Sequence, residues 1–317
     1  MPFLKISENH QTQLGVLGGP LNPVHVFQDT EINAINTALA AQRPLLITGE
    51  PGVGKSQLAR AAAIELQRVY KQSVVDAHTE ARDLLWQFDA VQRLADAQLM
   101  AATGGRRNKT FRYENPLEVK NYIHPGPLWW ALNWRHAQQH AQTAPPAQAE
   151  GCCPENGCVL LIDEIDKAET DIPNSLLEAL GENRFTPQGF NEAVAATSPA
   201  PLVIITTNEE RALPDAFLRR CLVLNLNLPE AQDEFIEHLT KRGKAHFGKR
   251  LSSKVITEAA EQIYRDRENT PVKPKPGQAE FLDLLRALAA LPAKDDEERL
   301  KTLKVIAEYV THKQGQN

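Results

Sequence analysis

The sequence is short of cysteine, of long apolar runs and of excess positive charge, and each shortage removes a class of protein. Four cysteines in 317 residues, three of them (Cys152, Cys153 and Cys158) crowded together, do not form the spread framework of a disulfide-stapled secreted domain. No apolar stretch approaches the ~20 residues that a bilayer-spanning helix needs. The opening MPFLKISENH lacks a basic region followed by an apolar run, so a secretory signal is not expected. A soluble, cytoplasmic chain without membrane insertion is the expectation. Acids outnumber bases 40 to 35, for a net charge of -5; that balance argues against a strongly basic nucleic-acid binder and leaves room only for a local patch. No long-period internal repeat is present.

What is there reads as a globular chain, 42% apolar and 24% charged, long enough for about two units. Residues 1–27, rich in Gly and Pro, read as an extended lead-in. A helix follows, with Ile32, Ile35 and Leu39 at helical spacing and Asp29 or Thr30 as its cap. Short apolar runs at Leu45–Ile47, in SVVDAH, in CVLLI and in PLVIITT are separated by helical patterns. One such pattern runs through Leu84, Phe88, Val91 and Ala95, a second opens at Pro127, and a third carries Leu176, Leu177 and Leu180. Strands alternating with helices imply a parallel sheet covered on both faces. Beyond Pro229 the pattern is helical only, at 230–247, 252–267, 277–291 and 295–311. The predicted division is therefore an α/β core over 28–228, with an insert around 100–125, and a helical unit over 229–317.

Two short segments carry chemistry. The run Gly49, Glu50, Pro51, Gly52, Val53, Gly54, Lys55, Ser56 matches G-x-x-x-x-G-K-[ST] at every specified position and lies between a predicted strand and a predicted helix; Gln57 continues that helix. Gly52 and Gly54 allow backbone N–H groups to turn inward around phosphates, and the helix N-terminus adds positive potential. Lys55 then reaches the outer phosphates and the Ser56 hydroxyl is a magnesium ligand. Such a loop binds a nucleoside triphosphate. The second segment, CVLLIDEIDK, ends an apolar run in acids: Asp163 is placed to hold the metal through water and Glu164 to polarise an attacking water.

The neighbouring cysteines compete for attention with this chemistry. Cys158 is expected to begin the strand as a small buried residue, with Cys152 and Cys153 in the loop before it. Adjacent cysteines without a nearby CxxC or a completing histidine pair do not make a tetrahedral zinc site; His136 and His140 are the nearest candidates.

With GEPGVGKS and VLLIDEID both in place, the chain resembles AAA+ ATPases, and among them the MoxR-like, dynein-related group. PNSLLEALGENRFT resembles the helix and hairpin after that group's acidic strand, and PLVIITTNEERALPDAFLRRC its sensor strand and arginine-finger segment. The resemblance, over about 28–310, implies a three-layer αβα P-loop core with a parallel sheet and a smaller all-α lid. It implies ATP and Mg2+ as cofactors, Asn208 as the sensor that positions the lytic water, and Arg219 or Arg220, with Arg220 favoured, as a finger completing a neighbour's site. A ring, taken as a hexamer, and a chaperone-like action on a protein client, in related systems often one carrying a von Willebrand factor A domain, follow from the same resemblance. The lid departs from the pattern: Gly277 and Gln278 stand where a second sensor arginine is expected, with Lys273, Lys275 and Arg286 as substitutes. Trp129 and Trp130 suit either the core or a pore-facing grip.

Two rival readings remain. Arg106, Arg107, Lys109 and Arg112 among Phe111 and Tyr113 would suit a nucleic-acid client, and the missing second sensor would suit a nucleotide-gated scaffold with negligible hydrolysis. The choice between ATP and GTP is not written in loops such as Val24–Phe27.

Overall fold

The apolar runs assemble into one five-stranded parallel sheet whose strands are β1 (Leu45–Thr48), β2 (Arg68–Val74), β3 (Cys153–Asp163), β4 (Leu202–Thr206) and β5 (Leu222–Asn225), in the order β5-β1-β4-β3-β2. This is a computed structural model, and it describes residues 3–17, 23–102, 117–168, 171–197, 199–271 and 274–311. β1 and β4 are buried along their whole length, as strands covered on both faces must be, which is why they read as continuous apolar runs rather than as alternation. Successive side chains still point to opposite faces. Leu45, Ile47, Val159, Leu161 and Ile204 enter one core and Leu46, Leu160, Ile162, Val203 and Ile205 the other. The register pairs Ile205 with both Leu46 and Ile162, so the carboxyl ends of β1, β3 and β4 finish side by side.

Helix Lys55–Glu65 lies on this sheet with Ala59, Ala61, Ala62 and Ala63 all fully buried; short side chains let the helix backbone approach the strands closely. Beyond the sheet, helices Gln232–Phe247, Ser253–Asn269, Gln278–Ala290 and Asp296–Thr311 pack on one another through Phe235, Leu239, Ile256, Phe281, Leu285 and Leu303. The αβα core with a smaller helical lid is thus present. No helix among the described residues is long and apolar enough to cross a membrane.

Several local expectations need correction. The lead-in is more than extended chain: Gln11–Gln13 pairs antiparallel with Val24–Val26, and Leu4, Leu14 and Phe27 are buried against the core. The first helix, Asp29–Ala41, is preceded by Gln28 as its cap, with the Glu31 carboxylate accepting from Gln28 N at 2.8 Å, so neither Asp29 nor Thr30 fills that role. The second strand starts at Arg68, before SVVDAH. β3 starts at Cys153 rather than Cys158, because a bulge at Gly157 (φ 93°) lets the register jump from Arg68–Cys153 to Val69–Cys158.

The pattern through Leu84, Phe88, Val91 and Ala95 is not one helix. Trp86–Phe88 is a strand paired with Ile123–Pro125, and the helix begins at Ala90, where the Asp89 carboxylate accepts from Gln92 N at 2.8 Å. Trp129 and Trp130 are core: both are buried, and Trp129 Nε1 donates to His136 Nδ1 at 3.0 Å while its ring packs on His140, Phe185 and Phe190. The basic segment with Arg106, Arg107, Lys109, Phe111, Arg112 and Tyr113 lies outside the described residues, as does Lys273.

Candidate functional site

The loop between β1 and helix Lys55–Glu65 turns on three glycines with left-handed backbones, Gly49 (φ 137°), Gly52 (φ 82°) and Gly54 (φ 105°). Two of them also admit no side chain. A Cβ on Gly49 would lie 2.1 Å from Leu226 O, and one on Gly52 would lie 2.6 Å from Ala279 Cβ of the lid. Gly54 is the residue from which the helix starts, so the helix N-terminus opens onto whatever the loop encloses.

Lys55 is buried, and its ammonium donates to Gly49 O at 2.6 Å, Glu50 O at 3.1 Å and Asn208 Oδ1 at 2.7 Å. Burial pulls its pKa below the ordinary lysine value, while the carboxylates of Asp163, Asp166, Glu209 and Glu164 pull the other way. Ser56 Oγ donates to both oxygens of Asp163, at 3.0 and 2.9 Å. Asp163 also accepts from Thr206 Oγ1 and, at 3.2 Å, from Gln72 Nε2. The carboxylate is therefore held by groups from the loop helix, β2 and β4 at once.

Glu164, the next residue, has a left-handed backbone (φ 63°), a conformation that costs a non-glycine residue on the order of 1 kcal/mol and occurs disproportionately at functional sites. Its N–H donates to Thr206 Oγ1 at 3.0 Å, its Oε2 accepts from Lys167 Nζ at 2.7 Å, and its Oε1 faces Asn208 Nδ2 at 3.5 Å. Asn208 thus touches both Lys55 and Glu164. Its backbone is anchored by Asp166, 2% exposed, which accepts from Asn208 N at 3.2 Å and Glu210 N at 3.0 Å.

Gly54, Lys55, Ser56, Asp163, Glu164 and Asn208 line one cleft of about 430 Å³, together with Pro51, Gly52, Gln57 and, from the lid, Gln278, Ala279 and Arg286. Glu50 instead turns to the lid and pairs with Arg267 at 2.9 Å. Val53 is buried, and its carbonyl accepts from Gln278 Nε2 at 3.2 Å. Gln278 itself is buried and its amide oxygen accepts from Arg242 Nε. Among the cations suggested for the lid, Arg286 borders the cleft, paired with Asp283, whereas Lys275 borders a different cavity.

Arg219 and Arg220 are not brought to this cleft. Both are exposed, at the end of the short helix Asp215–Leu218, and neither side chain has a partner among the described residues. The cysteines are free; Cys158 is buried in β3, and burial pushes its thiol up to about 12. Among the described residues no three His, Cys, Asp or Glu side chains gather into a metal-binding group.

Thr206, Gln72 and Asp166 are absent from the sequence-based site. Thr206 ends an apolar strand and Gln72 lies within the mixed strand Arg68–Val74, so only strand register could have placed them. Asp166 carried a signal, being the last acid of the DEID run.

An oxygen-rich pair of side chains beside a glycine loop at the carboxyl edge of a parallel sheet defines a P-loop nucleoside triphosphatase. A family model for the AAA domain of the dynein-related subfamily matches residues 44–221, more than half of the chain. The chain belongs to that family, and it is an ATP-hydrolysing enzyme. Among solved structures, one from Cytophaga hutchinsonii, provisionally described as an ATPase, superposes with a TM-score of 0.37 at 13% identity, covering 89% of this chain and 79% of that one. So loose an overlap bears on neither fold nor function. No curated protein matches the chain.

Proposed function

We propose that the chain is a MoxR-like, magnesium-dependent ATPase that works as a ring, taken as a hexamer, and uses ATP hydrolysis to remodel a protein client in a chaperone-like way. The observation that carries this reading is the contact of the Ser56 hydroxyl with both oxygens of Asp163, at 3.0 and 2.9 Å, directly beside Lys55 and Glu164. Ser56, Asp163 and Thr206 offer oxygen atoms without a thiol or imidazole, which suits a small hard cation, while Gln72 steadies Asp163 through its amide N–H. Ser56 and Asp163 would hold the magnesium ion, which when bound supplies neutralising charge to the phosphates.

The remaining work falls to protein groups. Residues Gly49 to Gln57 bind the triphosphate, with Lys55 exchanging its present carbonyl partners for phosphate oxygens. Glu164 accepts a proton from the attacking water, which Asn208 helps to orient. The exposed guanidiniums of Arg219 and Arg220 cannot serve their own cleft, which supports a trans role: in a ring, one of them stabilises charge on a neighbour's transferred phosphoryl group, an effect worth ~10³ to 10⁵ in rate. A client carrying a von Willebrand factor A domain is the partner that the family resemblance favours.

The test is phosphate release measured across a range of protein concentrations, with magnesium and with a chelator. Turnover per subunit is expected to rise with protein concentration and to vanish with the chelator. Turnover per subunit that stays constant from dilute monomer upward would refute the ring.

A further inference from the structure

We infer that Arg43 is a positioning residue for the trans arginines: its guanidinium fixes the backbone from which Arg219 and Arg220 project toward the neighbouring subunit. This inference rests on the proposed trans role of those two residues. It starts from a set of hydrogen bonds that the cleft does not use. Arg43 Nε donates to Arg220 O at 3.1 Å, and Arg43 Nη2 donates to Cys221 O at 3.2 Å and to Arg219 O. One side chain therefore holds three consecutive carbonyls.

Those carbonyls need an outside partner. The helix Asp215–Leu218 is a single turn, and its continuation ends with Arg219 N on Asp215 O, Arg220 N on Phe217 O and Cys221 N on Leu218 O. The last carbonyls of such a turn have no acceptor role left within the helix. A planar guanidinium with several fixed donors can satisfy three of them together, and its positive charge also suits the negative end of a helix. On either side the segment is tied down by Phe217, fully buried, and Cys221, 5% exposed. The two exposed arginines thus leave from a stretch that is anchored at both ends and held in the middle.

Arg43 is itself well placed to act as a fixed post. Gln42 takes a left-handed backbone (φ 51°) and Arg43 N donates to Ala38 O at 3.2 Å, closing the preceding helix. Pro44 O then accepts from Leu222 N at 2.9 Å, and β1 runs straight on to the phosphate loop. The base of the Arg43 side chain is therefore fixed to the strand that carries its own subunit's loop. Because Arg43 bonds only backbone carbonyls here, it leaves both guanidiniums free for a neighbour, and its like charge disfavours their folding back.

The experiment uses the full chain. Arg43→Ala is expected to bind ATP as the wild type does and to lose about 10- to 100-fold in kcat, the range that misplacing a remote contributor by about an ångström costs. KM should stay nearly unchanged, since the trans arginine acts on the transition state. Arg43→Lys, whose ammonium cannot match the planar fork, should fall between the two. A purely structural defect would not show the next readout: Arg43→Ala subunits mixed with Glu164→Gln subunits should regain turnover, because the second supplies sound arginines to the first's intact cleft. The double variant Arg219→Ala/Arg220→Ala serves as the reference. If it loses turnover while Arg43→Ala keeps the wild-type rate, or if it regains turnover when mixed with Glu164→Gln subunits while Arg43→Ala does not, the Arg43 inference is overturned and the trans reading stands; if neither mixture regains turnover, both fall. If the double variant keeps its turnover, both fall together.

Discussion

Replacing Glu164 by Gln isolates the proposed general base, and the neighbouring geometry says what else should change. Glu164 Oε2 accepts from Lys167 Nζ at 2.7 Å and Oε1 faces Asn208 Nδ2 at 3.5 Å. A glutamine can keep one of these with its single carbonyl oxygen, and its new NH2 then confronts a second donor. Asn208 cannot relieve this by flipping, because its Oδ1 already accepts from Lys55 at 2.7 Å. The glutamine should therefore turn out of the Asn208 contact while Lys55, Ser56 and Asp163 keep theirs. Loss of one general base costs about 10²- to 10⁴-fold, or about 3–5 kcal/mol of barrier. Affinity for MgATP, which depends on groups that do not touch Glu164, should change by less than about twofold. Phosphate release at saturating ATP gives the first number and equilibrium binding of a fluorescent ATP analogue the second. Turnover within tenfold of the wild type would refute the assignment of the base, and a parallel loss of binding would refute the separation of the two roles.

Three further outcomes follow from the same geometry. Gly49→Ala must place a methyl group against Leu226 O, 2.1 Å away, on a backbone at φ 137°, and should destabilise the fold by more than about 3 kcal/mol, read by denaturant unfolding. Asp166→Ala removes the acceptor of Asn208 N and Glu210 N; about 2–4 kcal/mol of stability should go, with kcat falling while ATP binding persists. Burial holds His238 and His246 down to about 4, against an ordinary value near 6.5. Above that value both folded and unfolded states are neutral at these rings; below it the unfolded chain takes up protons first. Stability should therefore decline as pH falls from about 6.5 to about 4, by up to about 2 kcal/mol per ring at pH 5. Unfolding curves at pH 7.5 and 5 on the wild type and on His238→Gln/His246→Gln check this, the double variant showing the shallower decline.

Legibility in the sequence tracked how local each interaction is. The glycine loop and the lid helices depend on neighbours three to eight residues away, and Ile32, Ile35 and Leu39 of the first helix enter the core as their spacing predicts. Where a side chain's fate depends on a distant strand, the pattern misled. Val91 lies at helical spacing with Leu84, yet a strand intervenes because Gln87 pairs with His124, and Val91 ends 80% exposed. Cys158 reads as the start of a strand, yet Arg68, far along the chain, pairs with Cys153 and extends it.

The sequence alone determined that a glycine-turned loop precedes a helix beginning with Lys55 and Ser56, and that two acids close an apolar strand, because backbone freedom and apolar periodicity act over a few residues. Only the tertiary structure decided that Ser56 meets Asp163, that Thr206 and Gln72 join them, and that Asn208 bridges Lys55 to Glu164. It also decided that Arg43 grips the segment of Arg219 and Arg220. Each of those contacts, Asn208–Glu164 and Gln72–Asp163 included, spans more than forty residues of chain. Hydrogen bonds of that reach exist only once the parallel strands have aligned, and the free energy of that alignment lies in the two cores on either side of the sheet, not in the motifs.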